Sequence, residues 1–401
     1  MTKPWLTVIG MGEEGLDGLG RASRSAIEEA EVLIGSERLL AMVPQGSARR
    51  VPWPRPFDAA AAIDPYRGRK VVVLATGDPL HYGVGRTILG SHPGANVRIE
   101  PYPSAFSLAA ARLGWPLEEV ETISLHARNA ALIEPLIAPG VRIIALTEGD
   151  ATIREAARRL QRRGYGGSPM TVLAHMGGEL EQRLSFPAEA IPETRLSALS
   201  TLAVECLAEA QAPLLPRVPG LPDEAFLNDG QITKSEVRAI TLSGLAPFPG
   251  ALLWDVGAGC GSVAIEWMRA ARGARAIAFE RDEQRADLIA ENAGMLGVPG
   301  LQVVRGAAPA SFSGMPSPDA VFLGGGLTDP AIFEAAWAAL KPGGRLLANA
   351  VTLEGEAHLG MLQSRHGGEI LRIDISQLEA LGPYRTMRPR LPVTQWRAVK
   401  P

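Results

Sequence analysis

Short aliphatic runs, bounded by glycine, proline and polar turns, alternate along the chain with stretches of helical amphipathic spacing. That rhythm predicts an α/β architecture. In the first half the aliphatic runs place strands at Leu6–Ile9, Val32–Ile34, Val71–Ala75, Val97–Glu100, Ile143–Thr147, Thr171–Leu173 and Leu199–Val204. In the second half they place them at Ala251–Val256, Ala276–Glu280, Leu301–Val304, Ala320–Leu323 and Arg345–Asn349, with late strands near Ile370–Ile375 and Val393–Val399. No internal repeat relates the two halves.

A proline-rich stretch separates them. Pro213, Pro216, Pro219 and Pro222 recur every third residue, which would align them on one face of a polyproline II helix. Leu214, Leu215, Val218 and Leu221 between them can pack on a domain surface. The expected division is a first domain over 1–210, a semi-rigid linker over 211–223 and a second domain over 224–401. A chain of 401 residues is long enough for two cores. Thr233 and Glu236 have the spacing of a capping box in front of an amphipathic helix.

Composition narrows the function. Hydrophobic residues make up 46% and charged residues 21%, as in a globular domain that dissolves in water. No apolar run reaches the roughly 18 residues of a membrane span, and the first residues lack a signal-peptide layout. A formal charge of −3 gives no basic footprint for nucleic acid. Cys206 and Cys260, the only cysteines, fall in different halves. That argues against a disulfide framework or a thiolate metal site and fits a reducing cytoplasm.

Chemistry concentrates in glycine-rich turns at strand ends. Trp254-Asp255-Val256-Gly257-Ala258-Gly259-Cys260-Gly261 is an apolar strand running into such a turn and then a helix. Amides are left free at the helix start, and missing Cβ atoms let a ligand approach. A dinucleotide fingerprint would need a glycine where Ser262 stands. Gly-x-Gly-x-Gly after an acidic strand end is similar instead to S-adenosylmethionine (SAM)-dependent methyltransferases, with Glu280 closing the next strand as a ribose acceptor. Gly306-Ala307-Ala308-Pro309, Pro318 to Gly326 and Leu340 to Arg345 follow in the same order as in that family.

In the first half Gly10-Met11-Gly12-Glu13-Glu14-Gly15 matches a dinucleotide fingerprint, yet Glu13 and Glu14 would set two negative charges against a pyrophosphate. Read as a series, Val8 to Gly12, Ala30 to Ser36, Thr76-Gly77-Asp78-Pro79 with His81 to Gly85, and Pro101 to Ser107 resemble the tetrapyrrole methylase family. In that family the Gly77-Asp78-Pro79 corner lies against SAM and Ser104 contributes to the site. By spacing alone the corner is equally a plain turn and Ser104 a helix cap. His81 and Tyr82 either line a cleft or pack.

With Leu221 to Phe226, Thr233 to Arg238 and Ser124-Leu125-His126-Ala127-Arg128 added, the full length resembles the bifunctional precorrin-6Y C5,15-methyltransferase (decarboxylating) family of cobalamin biosynthesis. The resemblance implies a tetrapyrrole methylase fold followed by a Rossmann-like methyltransferase fold, each with a SAM site. It implies C5 methylation by the first domain, and by the second C15 methylation with loss of the C12 acetate carboxyl. The carried-over SAM contacts are Gly77, Asp78, Pro79 and Ser104 in the first half. In the second they are Thr233, Gly257, Ala258, Gly259, Cys260, Gly261, Glu280 and Ala308. Thr233 is either such a contact or only a helix cap. Ala307 departs from the family, where Asp often follows that glycine, so any polar contact to adenine there falls to backbone. A tetrapyrrole bearing many carboxylates calls for basic groups, and His126, Arg128, Lys234 and Arg238 are candidates, Arg238 being equally a solvated helix residue. Meso carbons of a reduced corrin are enamine-like, so no metal or nucleophilic side chain is expected. Relatives of both domains form homo-oligomers, and one is expected here. The competing readings are a methyltransferase for another substrate, a dehydrogenase using Gly10–Gly15, and a tetrapyrrole-binding scaffold with decayed sites; the intact glycines at 257, 259 and 261 speak against the last.

Overall fold

The computed structural model describes residues 4–401 and divides into two compact units. The first runs through Ala130 and resumes over Pro139–Ala212; the second comprises Ala131–Ala138 and Pro213–Pro401.

The first unit holds two sheets. One consists of β1 (Leu6–Met11), β2 (Val32–Gly35), β3 (Arg49–Pro52), β4 (Val71–Thr76) and β5 (Val97–Glu100), all parallel in the order β3-β2-β4-β1-β5. Successive residues of β4 feed opposite cores, Val71, Val73 and Ala75 on one face and Val72 and Leu74 on the other. A sheet covered on both faces needs such unbroken apolar strands, which is why β4 reads so clearly in the sequence. The second sheet consists of β6 (Val120–Ser124), β7 (Arg142–Leu146), β8 (Pro169–Ala174), β9 (Gln182–Pro187) and β10 (Ser200–Glu205), ordered β6-β7-β10-β8-β9 and mostly antiparallel.

The second unit is built on a seven-stranded sheet. Its strands are β11 (Leu252–Val256), β12 (Arg275–Glu280), β13 (Gln302–Arg305), β14 (Ala320–Leu323), β15 (Arg345–Ala350), β16 (Glu369–Ile373) and β19 (Val393–Val399). Their order is β13-β12-β11-β14-β15-β19-β16, parallel except where β19 runs against β15 and β16. Between β16 and β19, β17 (Ser376–Leu381) and β18 (Tyr384–Pro389) form a separate hairpin. Strand order reverses beside β11, so a crevice opens at the carboxyl ends of β11 and β14. Among the described residues no helix is long and apolar enough to cross a membrane, and no group of three His, Cys, Asp or Glu could hold a metal.

Two expectations from the sequence are corrected. The capping box does not form: the helix starts at Ser235 with Lys234 at its cap and no side-chain cap bond. Arg238 is neither a solvated helix residue nor free for substrate, because it is fully buried. Its Nε donates to Glu266 Oε1 at 2.6 Å, Nη1 to Asp223 Oδ1 at 3.2 Å and to the Thr233 carbonyl, and Nη2 to the Leu221 carbonyl. Glu266 in turn accepts from the amides of Gly220 and Leu221 at 2.6 and 3.0 Å. The proline-rich stretch from Pro213 is thereby clasped into the second unit, with Leu215 and Leu221 in its core and Leu214 and Val218 exposed.

Breaking a buried ion pair from one side leaves an uncompensated charge, at a cost of about 3–5 kcal/mol. Arg238→Met is therefore expected to lower the denaturant midpoint of the second unit by that amount of stability, measured by urea unfolding followed through tryptophan fluorescence.

Candidate active sites

At the carboxyl end of β11 lies a cavity of about 1050 Å³. The glycines of the loop after β11 do different things there. Gly257 has φ +69°, and a Cβ on it would sit 2.7 Å from the backbone of Gly325, so the loops after β11 and β14 touch main chain to main chain. A Cβ on Gly261 would come within 2.9 Å of Ile289; this glycine seats a helix and falls outside the cavity lining, contrary to the expected cofactor contact. Gly259 is the open one, with only the Gln231 carbonyl near, at 3.7 Å. Its amide donates to Glu280 Oε2 at 2.8 Å, while the amide of Asp282 reaches Oε1 at 3.0 Å. Two backbone bonds fix the Glu280 carboxylate and leave it lone pairs for a ligand's hydroxyls.

Thr233, Lys234, Gly257, Ala258, Gly259, Cys260, Glu280 and Ala308 all line this cavity. Lys234 Nζ lies 3.3 Å from Asp223, and the thiol of Cys260 is pushed up by burial. Asp255 and Asn349 also line the cavity, and neither is among the site residues expected from the sequence. Asp255 is 1% exposed; Oδ2 accepts from the amide of Ala264 at 3.0 Å and Oδ1 has no partner. Burial, aided by the nearby Glu280, pushes its carboxyl up to about 7.

The first unit contains a second cavity, of about 470 Å³, bordered by both of its sheets. Gly77, Asp78, Ser104 and His126 line it; Pro79 and Arg128 do not. The carbonyl of Pro79 instead closes the following turn by accepting from Gly85 at 2.9 Å, and the Arg128 guanidinium sits 5.5 Å from the centre of the Tyr82 ring. Asp78 Oδ1 accepts from the amide of Leu80 at 2.8 Å, fixing the corner as an Asx turn. Ser104 Oγ accepts from the amide of Ser107 at 3.2 Å, so it caps Ala105–Leu113 and lines the cavity at once. His126 Nδ1 lies 3.3 Å from the carbonyl of Thr147, and His81 packs on Phe106 with ring centres 4.5 Å apart.

The glycine pattern at Gly10–Gly15 is filled from within. A Cβ on Gly12 would strike the Tyr102 ring at 2.6 Å, and Tyr102 Oη donates to Glu14 Oε2 at 2.6 Å. Burial and then the hydrogen bond to Glu14 push the Tyr102 phenol up to about 12. Glu13 pairs with Arg38 and lies 3.3 Å from Nδ1 of His175, so the two acids that argue against a pyrophosphate are occupied by internal partners. Glu13, Arg38 and His175 all line the cavity, and none was singled out as a site residue from the sequence.

Residues 6–192 match the family of Tetrapyrrole (Corrin/Porphyrin) Methylases, and residues 224–400 match the Precorrin methyltransferase domain. A precorrin-6Y C(5,15)-methyltransferase [decarboxylating] from Sinorhizobium sp is 45% identical over 400 residues, covering 99% of this chain and 96% of that protein. The chain belongs to the precorrin-6Y C5,15-methyltransferase family. Two shorter proteins are similar to part of this family member. A cobalt-precorrin-7 C(5)-methyltransferase from Salmonella typhimurium is 31% identical over 46% of the chain and 92% of its own length. A probable cobalt-precorrin-6B C(15)-methyltransferase (decarboxylating) from Pyrobaculum calidifontis is 38% identical over 44% of the chain and 93% of its own length.

Asp255 generates a pH prediction for this family member. A free aspartate ionises near 3.8 and the folded group near 7, so the folded state holds a proton between those values. The unfavourable contribution of Asp255 grows as pH rises through that window and is complete above it. Relative to wild type, Asp255→Asn should gain melting temperature between about pH 4 and pH 7 and hold that gain above it; an equal offset at both ends would contradict the assignment.

Proposed function

We propose that the chain methylates precorrin-6Y at ring carbons 5 and 15 and removes the carboxyl of the C12 acetate, giving precorrin-8x. In this reading each unit binds its own SAM, the first serving C5 and the second serving C15 and the decarboxylation. The observation that carries it is the presence of two separate cavities, each walled by a strand-end glycine turn, in a chain whose shorter relatives bear the C(5) and C(15) names singly.

SAM supplies a methyl group already activated on a sulfonium. In the second unit Glu280 accepts the ribose hydroxyls, the open backbone at Gly259 admits the ligand, and the buried carboxyl of Asp255 forms part of the wall. Thr233, Ala258, Cys260 and Ala308 complete the wall. In the first unit Gly77, Asp78 and Ser104 hold the cofactor, and His126 faces the tetrapyrrole. A meso carbon that is already nucleophilic needs alignment and exclusion of water more than a strong base. Lys234 at the rim of the second cavity meets substrate carboxylates. The exposed hairpin residues Leu378, Leu381, Tyr384 and Met387 support the homo-oligomer expected from the resemblance, and two buried cysteines that form no disulfide support a reducing cytoplasm.

Calorimetry should find two SAM equivalents per chain and no NAD. Gly259→Arg should remove one equivalent and abolish C15 methylation and decarboxylation, while Asp78→Arg should leave a singly methylated, decarboxylated product by mass spectrometry. Loss of both methyls in either variant would overturn the division of labour.

A further inference from the structure

Asn349, near the end of β15, stands half-buried in the wall of the second unit's cavity. Behind it an unbroken chain of polar side chains runs through the interior. Gln395 Nε2 donates to Asn349 Oδ1 at 2.8 Å and to Thr241 Oγ1 at 3.0 Å, and Asn349 Nδ2 donates to the same Thr241 oxygen at 3.2 Å. Arg397 Nε donates to Gln395 Oε1 at 2.7 Å. Gln395 and Thr241 are fully buried. The fold makes room for the cation at the far end: a Cβ on Gly244, inside the helix Ser235–Leu245, would come within 2.9 Å of Arg397 Nε. Glycine in a helix costs about 1 kcal/mol against alanine, so the space has a stability cost.

These bonds fix which end of the Asn349 amide is oxygen, and they leave one N–H and one lone pair unused. Each link polarises the next toward Arg397, so the unused N–H is a stronger donor than a solvated amide. Such a donor favours an anionic oxygen. Of the four cations that line the cavity, Arg285 and Arg390 face carboxylates at 2.8 and 3.0 Å, Lys234 lies at the rim 3.3 Å from Asp223, and Arg281 is exposed just after β12. A carboxylate that departs as carbon dioxide loses its charge on the way. A full cation would therefore stabilise the ground state over the transition state and slow the loss, whereas a neutral donor orients the group at less cost.

We propose that Asn349 holds the acetate carboxylate that the second unit removes, with Gln395 and Arg397 as positioning residues acting through it. The inference rests on the function proposed above. In the step, the bond from the acetate CH₂ to the carboxylate breaks and its electron pair passes into the conjugated imine of the ring. Carbon dioxide leaves, and a proton from water completes the methyl group. Asn349 neither gains nor loses a proton.

The test uses the full chain with SAM and the tetrapyrrole, following both products by mass and SAM binding by calorimetry. In Asn349→Ala, melting temperature should fall modestly, because buried Gln395 loses an acceptor, and SAM affinity should match wild type while decarboxylation slows roughly 10- to 100-fold, the range of one hydrogen bond to a charged group. C15 methylation should fall less, so methylated product that retains its carboxyl accumulates. Asn349→Asp keeps the shape and the bond from Gln395 but repels the carboxylate, and should be slower still. Arg397→Met should shift the ratio of the two products in the same direction by a smaller factor. Equal loss of both reactions, unchanged rates, or weakened SAM binding in Asn349→Ala would overturn the proposal. A wild-type chain that performs neither reaction would overturn the proposed function itself.

Discussion

The guanidinium of Arg238 is the fixed point of the second unit. It gathers a carboxylate from the helix that follows the glycine loop, a second from the proline-rich stretch, and two backbone carbonyls. One of those carbonyls belongs to Thr233, whose neighbours form the cavity rim. Removing an arginine and a glutamate from water is expensive, and the attraction between them offsets that only when every remaining proton and lone pair is used. Here Glu266 also takes the Gly220 and Leu221 amides, so the pair is satisfied on both sides. The ion pair thus ties a segment that would otherwise read as linker to the edge of the site.

Most of the fold was legible because buried parallel strands must be apolar on both faces. β4 and β11 stand out in the sequence for that reason, and both lead into glycine turns at a cavity. The strands that reading missed share an opposite character. β3, β6 and β9 lie at sheet edges with one neighbour each, and β17 and β18 pair only with each other. An edge strand needs little apolar surface and gains from charge that discourages further pairing. Arg49 and Arg50 in β3 and Gln182 and Arg183 in β9 therefore hid the strands that contain them.

The sites divide in the same way. Backbone-determined parts, such as the Gly257–Gly259 turn and the acid at Glu280, follow from local pattern. Parts assembled across the chain do not. Arg238 reads from its helix position as a substrate contact or a solvated residue, because its partners at 223 and 266 are distant in sequence, and His175 joins Glu13 across most of the first unit. The pair Glu13 and Glu14 carried a usable signal. Acids that do not fit a phosphate must have another partner, and the structure supplies Arg38, His175 and Tyr102.

The neighbour of Gln395 on β19 gives the last strand a second meaning. Trp396 points to the opposite face, fully buried, with its indole N–H on the Gly367 carbonyl and its ring among Phe333, Trp337 and His366. A slip of β19 by one residue against β15 would drive the indole toward the polar side and an amide into that aromatic nest. The aromatic face therefore works as an alignment key. It lies outside the cavity lining, yet it decides which side chain is presented to Asn349 on the far side of the sheet.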